Sequence, residues 1–219
     1  MSPHHAWGLT MFENDDLDLY AEKINPDNPD QYWAIDHWQD FVQHTEIIRV
    51  KDAADVELKL RATRHGPVVN HVFEQVLEQT EGSKHGLDQF KQPIAMWWAF
   101  LDTGNRMLEG FYGLGAAHNL EKARAAAEMI HAPGLNVMYA NSKGDIAWWA
   151  AAKLPVRPKH VNSKLILDGA SGKDDQLGSY DFSHNPQQVN PKSGLIYSAN
   201  NQPADRGDGL IPGYYSPTD

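Results

Sequence analysis

The chain has 219 residues, 41% hydrophobic and 22% charged, with a formal net charge of -10 and a pI near 5.5. This length and composition support a substantial core and exclude disorder, and the acidic balance without any Lys/Arg cluster argues against nucleic acid as a partner. No window approaches the roughly 18 apolar residues of a membrane helix, residues 1–5 lack the regions of a signal peptide, and the absence of cysteine removes disulfides, thiolate metal sites and a Cys nucleophile while leaving the compartment open.

In chain order, residues 6–12 read as a buried strand with no preceding turn or cap, an opening abrupt enough to predict a cut. An acidic turn, Glu13-Asn14-Asp15-Asp16, leads into residues 17–24, whose alternation predicts a half-buried strand closed by Pro26-Asp27-Asn28-Pro29. Residues 46–51 and 56–63 alternate in the same way around Asp52-Ala53-Ala54-Asp55, which predicts a hairpin before His65-Gly66-Pro67. The continuous apolar run at residues 94–101 suits a strand covered on both faces. A helix is expected over residues 106–114, and a second from the N-cap Asn119 through Leu120, Ala123, Ala127 and Ile130 to Pro133-Gly134. Residues 136–140 and 146–151 flank a turn containing Gly144 and predict a hairpin. Residues 155–192, rich in Pro, Gly, Ser, Asn and Asp, form a long excursion ending in a strand-like stretch at residues 194–199. No repeat or flexible linker breaks the chain, and the expectation is one α+β unit, mostly antiparallel, with a helical insertion, spanning residues 1–219.

Several patterns bear on chemistry. Asp15, Asp16 and Asp18 place three carboxylates within four positions, which suits a hard cation such as Ca²⁺ and equally suits a solvated acidic turn. Asn200-Asn201 before Pro203 makes a good turn opener on its own. The tryptophan pairs Trp97-Trp98 and Trp148-Trp149 point to opposite faces of a strand, which fits packing on both sides of a sheet. Eleven histidines show no zinc spacing, and no phosphate-binding loop or dinucleotide fingerprint occurs, so no organic cofactor is expected. His65-Gly66-Pro67 reads as a structural turn.

Segments spread over nearly the whole chain resemble the penicillin acylase family in the order that family places them. They are the Ala6-Trp7-Gly8 strand, residues 15–22, His65-Gly66-Pro67-Val68, residues 136–153, and Ala199-Asn200-Asn201-Gln202-Pro203. The resemblance implies an internal piece of the β chain of an N-terminal-nucleophile hydrolase, contributing to a four-layer αββα sandwich. In that family the nucleophile is a serine freed by self-cleavage, with its own α-amine as base. It should lie upstream of Trp7, and an initiator-like Met1 joined to a mid-protein strand departs from the family pattern. The chain alone is therefore expected to be inactive.

By position in the resemblance, Asn200 is the oxyanion donor, with Asn201 the second choice. Asp15 and Asp18 would supply carboxylates and Leu17 its carbonyl to a structural Ca²⁺. A further ligand would be Asp208, with Asp205 competing, and another would come from the absent α chain, which leaves the site incomplete. Tyr112 and Leu135 fall where the family lines its acyl pocket. The implied reaction is hydrolysis of a linear amide in an N-acylated small molecule, such as a β-lactam side chain or an acyl-homoserine lactone. The implied partners are the remaining α and β chain segments, in a periplasmic or secreted parent. The rival reading is a non-catalytic binding or structural module with an apolar Trp-rich groove.

Overall fold

The computed structural model describes residues 3–72 and 92–200. Their strands are β1 (His5–Met11), β2 (Leu17–Ala21), β3 (Ile24–Asn25), β4 (Asn28–Ala34), β5 (His37–Asp40), β6 (Val42–Ile48), β7 (Val56–Thr63), β8 (Gly66–Pro67) and β9 (Ile94–Trp98). Two helices follow, α1 (Met107–Ala116) and α2 (Leu120–Glu128). The chain then forms β10 (Leu135–Asn141), β11 (Ile146–Ala151), β12 (Pro155–Val156), β13 (Leu167–Asp168), β14 (Gly178–Ser179) and β15 (Gln187–Val189). Nearly all pairings are antiparallel, β13 with β2 being parallel, and the class is α+β as expected. Contacts divide the chain, expected as one partial domain, into two compact units: Met1–Asp16, Ala99–Val156 and Gln176–Asp219 in the first, Leu17–Trp98 and Arg157–Asp175 in the second.

The first unit is built on an antiparallel sheet of order β1-β10-β11-β15. The expected hairpin at residues 136–151 is its centre, with Tyr139 opposite Ala147. One face carries both helices: Leu114, Ala123, Ala126, Ala127 and Ile130 share a buried cluster with Val137, Tyr139 and Trp149. The alanines at positions 123, 126 and 127 form the i, i+3, i+4 stripe that a packed helix needs. Asn119 caps α2 as expected, its side-chain oxygen accepting from the Lys122 N–H at 2.8 Å. Close approach of the helices depends on glycine, since a Cβ on Gly110 would sit 2.8 Å from the Ala126 carbonyl oxygen. Trp148 packs on the opposite face with Phe12, Ala150 and Leu154, so this tryptophan pair does straddle the sheet.

The second unit holds three small sheets, β13-β2-β9, β3-β4-β5 and β6-β7-β8. The hairpin expected around residues 52–55 is present and begins earlier, Val42 pairing with Ala62. Gly66, at φ +132°, lies where a Cβ would be 2.2 Å from the Met96 carbonyl oxygen, which bears out the structural reading of the His65-Gly66-Pro67 turn.

Four expectations need correction. Strand β1 forms, yet of its seven residues only His5 is buried, because among the described residues β1 pairs on one side alone. In β2 the alternation holds with its faces exchanged: Asp18 and Tyr20 are buried while Leu17 and Leu19 are only half-buried. The apolar run at residues 94–101 is a strand only to Trp98, and then turns into a 3-10 segment that exposes Phe100 and Leu101. Residues 194–199 form no strand: β15 already pairs with β11, and Ser198 is held through its side chain.

Candidate active site

Strand register in the first unit gathers polar side chains from distant positions. Thr10 of β1 lies opposite Asn136 of β10, which in turn lies opposite Ala150 of β11. Trp148 is two residues from Ala150 and so projects to the same face, a diagonal neighbour within reach of a long side chain. Its indole N–H donates to the Asn136 oxygen at 2.9 Å. The Asn136 amide nitrogen donates to the Met11 carbonyl at 2.7 Å and to the Ser198 hydroxyl oxygen at 3.0 Å. Ser198 also shares a 2.9 Å hydrogen bond with the Thr10 hydroxyl. Asn136 is 1% exposed, and with three bonds its desolvation is offset rather than left as a penalty.

This network ends at Asn200. The Met11 N–H donates to the Asn200 side-chain oxygen at 3.0 Å, so one strand residue, Met11, is tied to Asn136 through its carbonyl and to Asn200 through its amide. Asn200 has φ +59°, a left-handed conformation that asparagine tolerates better than most side chains. The bond from the Met11 N–H identifies the near end of the Asn200 amide as the oxygen, so the other end is the nitrogen. A neutral N–H donor at a chain bend suits stabilisation of a developing oxyanion.

The other predicted residues are placed differently. Tyr112, on α1, is 83% exposed, whereas Leu135 is buried in the helix-covered core. Asn201, Asp205 and Asp208 lie outside the described residues. Asp15 is buried and belongs to the first unit, while Leu17 and Asp18 belong to the second. Both oxygens of Asp18 accept from the Arg157 Nε at 3.0 Å, with the side chains 0% and 6% exposed. The Asp18 charge is thus already matched by a guanidinium, and among the described residues no group of three or more His, Asp or Glu side chains is arranged to hold a metal ion. These residues do not by themselves fit the calcium site that the resemblance implies.

Beside Asp18 stands a second charged group that the sequence reading missed. Glu22, fully buried, accepts from the Thr63 hydroxyl at 2.6 Å and lies 2.8 Å from His65 Nδ1. The other ring nitrogen of His65 lies 3.0 Å from Asp175, which Arg64 also binds. The Tyr20 ring stacks on His65 with centroids 3.9 Å apart. Burial, and next the Asp18 charge, push the Tyr20 phenol well above its ordinary value, so it stays neutral. Burial alone would raise the Asp175 carboxyl, but the bonds from Arg64 and His65 outweigh it and hold the group below the usual carboxylate range.

Apolar surface is also present. A groove of about 380 Å³ runs along β1, β10 and β11, lined by residues including Trp7, Met138, Tyr139, Ile146 and Leu195. Trp7 is the tryptophan that lines it, and the pairs Trp97-Trp98 and Trp148-Trp149 lie outside its lining.

The Penicillin amidase family profile matches residues 1–219. The chain belongs to the penicillin amidase family. It is 28% identical over 222 residues to the acyl-homoserine lactone acylase QuiP of Pseudomonas aeruginosa, covering 97% of this chain and 25% of that protein. It is 25% identical over 198 residues to penicillin G acylase of Escherichia coli, covering 90% of this chain and 21% of the relative. Among solved structures, the thermostable penicillin G acylase from Alcaligenes faecalis superposes with a TM-score of 0.78 at 27% identity, covering 96% of this chain and 35% of that one. The chain therefore spans about a quarter of the curated relatives it matches.

Of the site residues read from sequence, Asn200 is the one that the geometry ties into a network. The residues that hold it were missed. Asn136 carried a legible signal, a polar side chain set between apolar neighbours Leu135 and Val137, but its partners at positions 11, 148 and 198 did not.

Proposed function

We propose that this chain supplies the oxyanion donor, Asn200, to an amide hydrolase that cleaves the linear amide of an N-acylated small molecule. The observation that carries the reading is the anchoring of Asn200 by the Met11 N–H at the end of β1, in a chain of the penicillin amidase family. In the proposed reaction a serine Oγ, from a segment upstream of Trp7, attacks the amide carbon while its α-amine takes the proton. The carbonyl oxygen gains charge and the Asn200 N–H donates to it. Collapse expels the amine and leaves an acyl-enzyme, which water then hydrolyses.

The substrate class follows the relatives' names: an acyl-homoserine lactone or the acyl side chain of a β-lactam. Tyr112 and Leu135 are proposed to meet the acyl group once the rest of the parent is in place. Calcium is proposed as a weak, structural ligand only, which would draw on Asp208 and on ligands from outside this chain. A periplasmic or secreted parent belongs to the same reading.

The test is to express the full-length protein, confirm by mass spectrometry that its β chain begins at a serine, and assay a chromogenic phenylacetyl amide beside an N-acyl-homoserine lactone. Turnover of at least one substrate by the cleaved protein, and none above background by the 219-residue chain, is expected. A correctly cleaved protein inactive on both would refute the hydrolase reading, and turnover by the 219-residue chain would refute the assignment of the nucleophile upstream.

A further inference from the structure

We propose that Asn136 and Trp148 are positioning residues for the Asn200 donor, acting through Met11 and Ser198. The proposal rests on the assignment of Asn200 above and extends it to side chains that touch no reacting atom.

The geometry is specific. Asn136 lies 125 residues from Met11 and 62 from Ser198 along the chain, yet a single amide nitrogen donates to both, at 2.7 and 3.0 Å. Met11 is the residue whose N–H holds Asn200, and Ser198 is two residues before it. One buried amide therefore fixes the strand and the approaching segment that together determine where the Asn200 side chain sits. An asparagine amide can rotate by half a turn with little change in shape, which would exchange its donor for an acceptor and set its oxygen against the Met11 carbonyl, which can only accept. The indole N–H of Trp148 prevents this: it can only donate, so the Asn136 atom 2.9 Å away must be the oxygen, which leaves the nitrogen toward Met11 and Ser198. The Thr10–Ser198 bond at 2.9 Å closes the network from β1. Along this face a buried asparagine costs more than an apolar residue unless every bond is made, and here the bonds converge on the segment that carries Asn200.

The inference is tested in full-length, self-cleaved protein, with kcat referred to titrated active sites. Asn136→Ala should lower kcat roughly 10- to 100-fold and leave KM within about threefold, because a donor displaced by a fraction of an ångström is missed in the transition state and little in the ground state. Added to Asn200→Ala, the same change should cost less than about threefold further, since a positioning residue has nothing left to position. Asn136→Asp keeps the acceptor for Trp148 and loses the donor while ionised; its kcat relative to wild type should rise as pH falls and the carboxyl regains a proton. Trp148→Phe keeps an aromatic ring, though a smaller one, and removes the N–H, and should lower kcat about 3- to 10-fold at unchanged KM. Where the Asn136 variants fail to mature, Trp148→Phe carries the test alone.

Wild-type kcat in mature Asn136→Ala and Trp148→Phe, with Asn200→Ala impaired, would overturn the positioning role and leave Asn200 standing. Full additivity of Asn136→Ala with Asn200→Ala would also overturn it, because a merely structural contribution adds. Wild-type kcat in mature Asn200→Ala would remove the Asn200 assignment and this inference together.

Discussion

Beneath its two helices the first unit buries alanines, Leu114, Ile130 and Trp149, and the side chains gathered at the end of its sheet are amides and hydroxyls. The second unit instead encloses ionisable side chains: Asp18 with Arg157, and Glu22, His65, Asp175 and Arg64 around the Tyr20 ring. An apolar core tolerates loss of a contact in proportion to the volume removed, whereas a buried ion pair is costly chiefly when one member is taken away. The network that holds the proposed donor is accordingly neutral and uniquely satisfied, and the charges of the second unit act on stability. The strand pairing of β1 with β10 sets neutral side chains, Thr10 and Asn136, opposite one another there.

The largest effect that separates the two units is expected at Arg157. Arg157→Ala removes the guanidinium from which both oxygens of the fully buried Asp18 accept and should destabilise the second unit by about 3–5 kcal/mol, while the double change Asp18→Leu, Arg157→Met recovers most of it. Hydrogen exchange at the β2 and β9 amides reads this locally; unchanged protection in Arg157→Ala would show that the pair contributes little. Trp149→Ala in the first unit should cost a similar amount, about 3–5 kcal/mol, for a different reason, the cavity left under α2. No change of charge rescues it.

Acid should separate the units next. His131, in the first unit, has its pKa lowered by burial and then by Lys153. A histidine depressed in the folded state contributes stability that is complete above its ordinary value of about 6.5 and is lost as pH falls below it. Asp175, in the second unit, is depressed by Arg64 and His65 against the opposing effect of burial. Its contribution is complete above about 3.9 and is lost as pH falls through its lower folded value. Exchange protection in α2 and β11 should therefore weaken as pH falls below about 6.5, before the Asp175 contribution to the second unit begins to fade near pH 4. Simultaneous loss in both units would remove the distinction. The smallest effect is local: Asn119→Ala removes the side-chain bond to the Lys122 N–H and should cost about 1 kcal/mol, seen as fraying of the first turn of α2.

Local periodicity and turn chemistry made much of the fold legible. The hairpin at β10 and β11, the hairpin at β6 and β7, and the Asn119 cap each depend on residues near one another in the chain, and each was found. What alternation could not say is which face of β2 is buried. It identifies residues that share a face, and the choice between faces rests on Arg157, 139 residues from Asp18, and on Thr63, 41 residues from Glu22. Residues 194–199 were read as a strand because Leu195, Ile196 and Tyr197 have strand propensity; here they run beside the sheet and are fixed by the Ser198 hydroxyl. At the candidate site, the resemblance picked out Asn200, while Asn136 was visible only as a polar interruption. Its role depends on Met11 and Ser198, which no spacing along the chain connects to it.

The most direct test is Asn200→Ala in the full-length protein, with the β chain confirmed cut at its serine so that failed maturation is not mistaken for a catalytic defect. An oxyanion donor interacts strongly only after the carbonyl oxygen has gained charge, so kcat should fall about 10²–10³-fold with KM nearly unchanged. Asn201→Ala, made in parallel, should cost less than about tenfold if Asn200 is the donor. Wild-type kcat in mature Asn200→Ala would contradict the account, and a loss confined to Asn201→Ala would move the donor to the neighbouring residue.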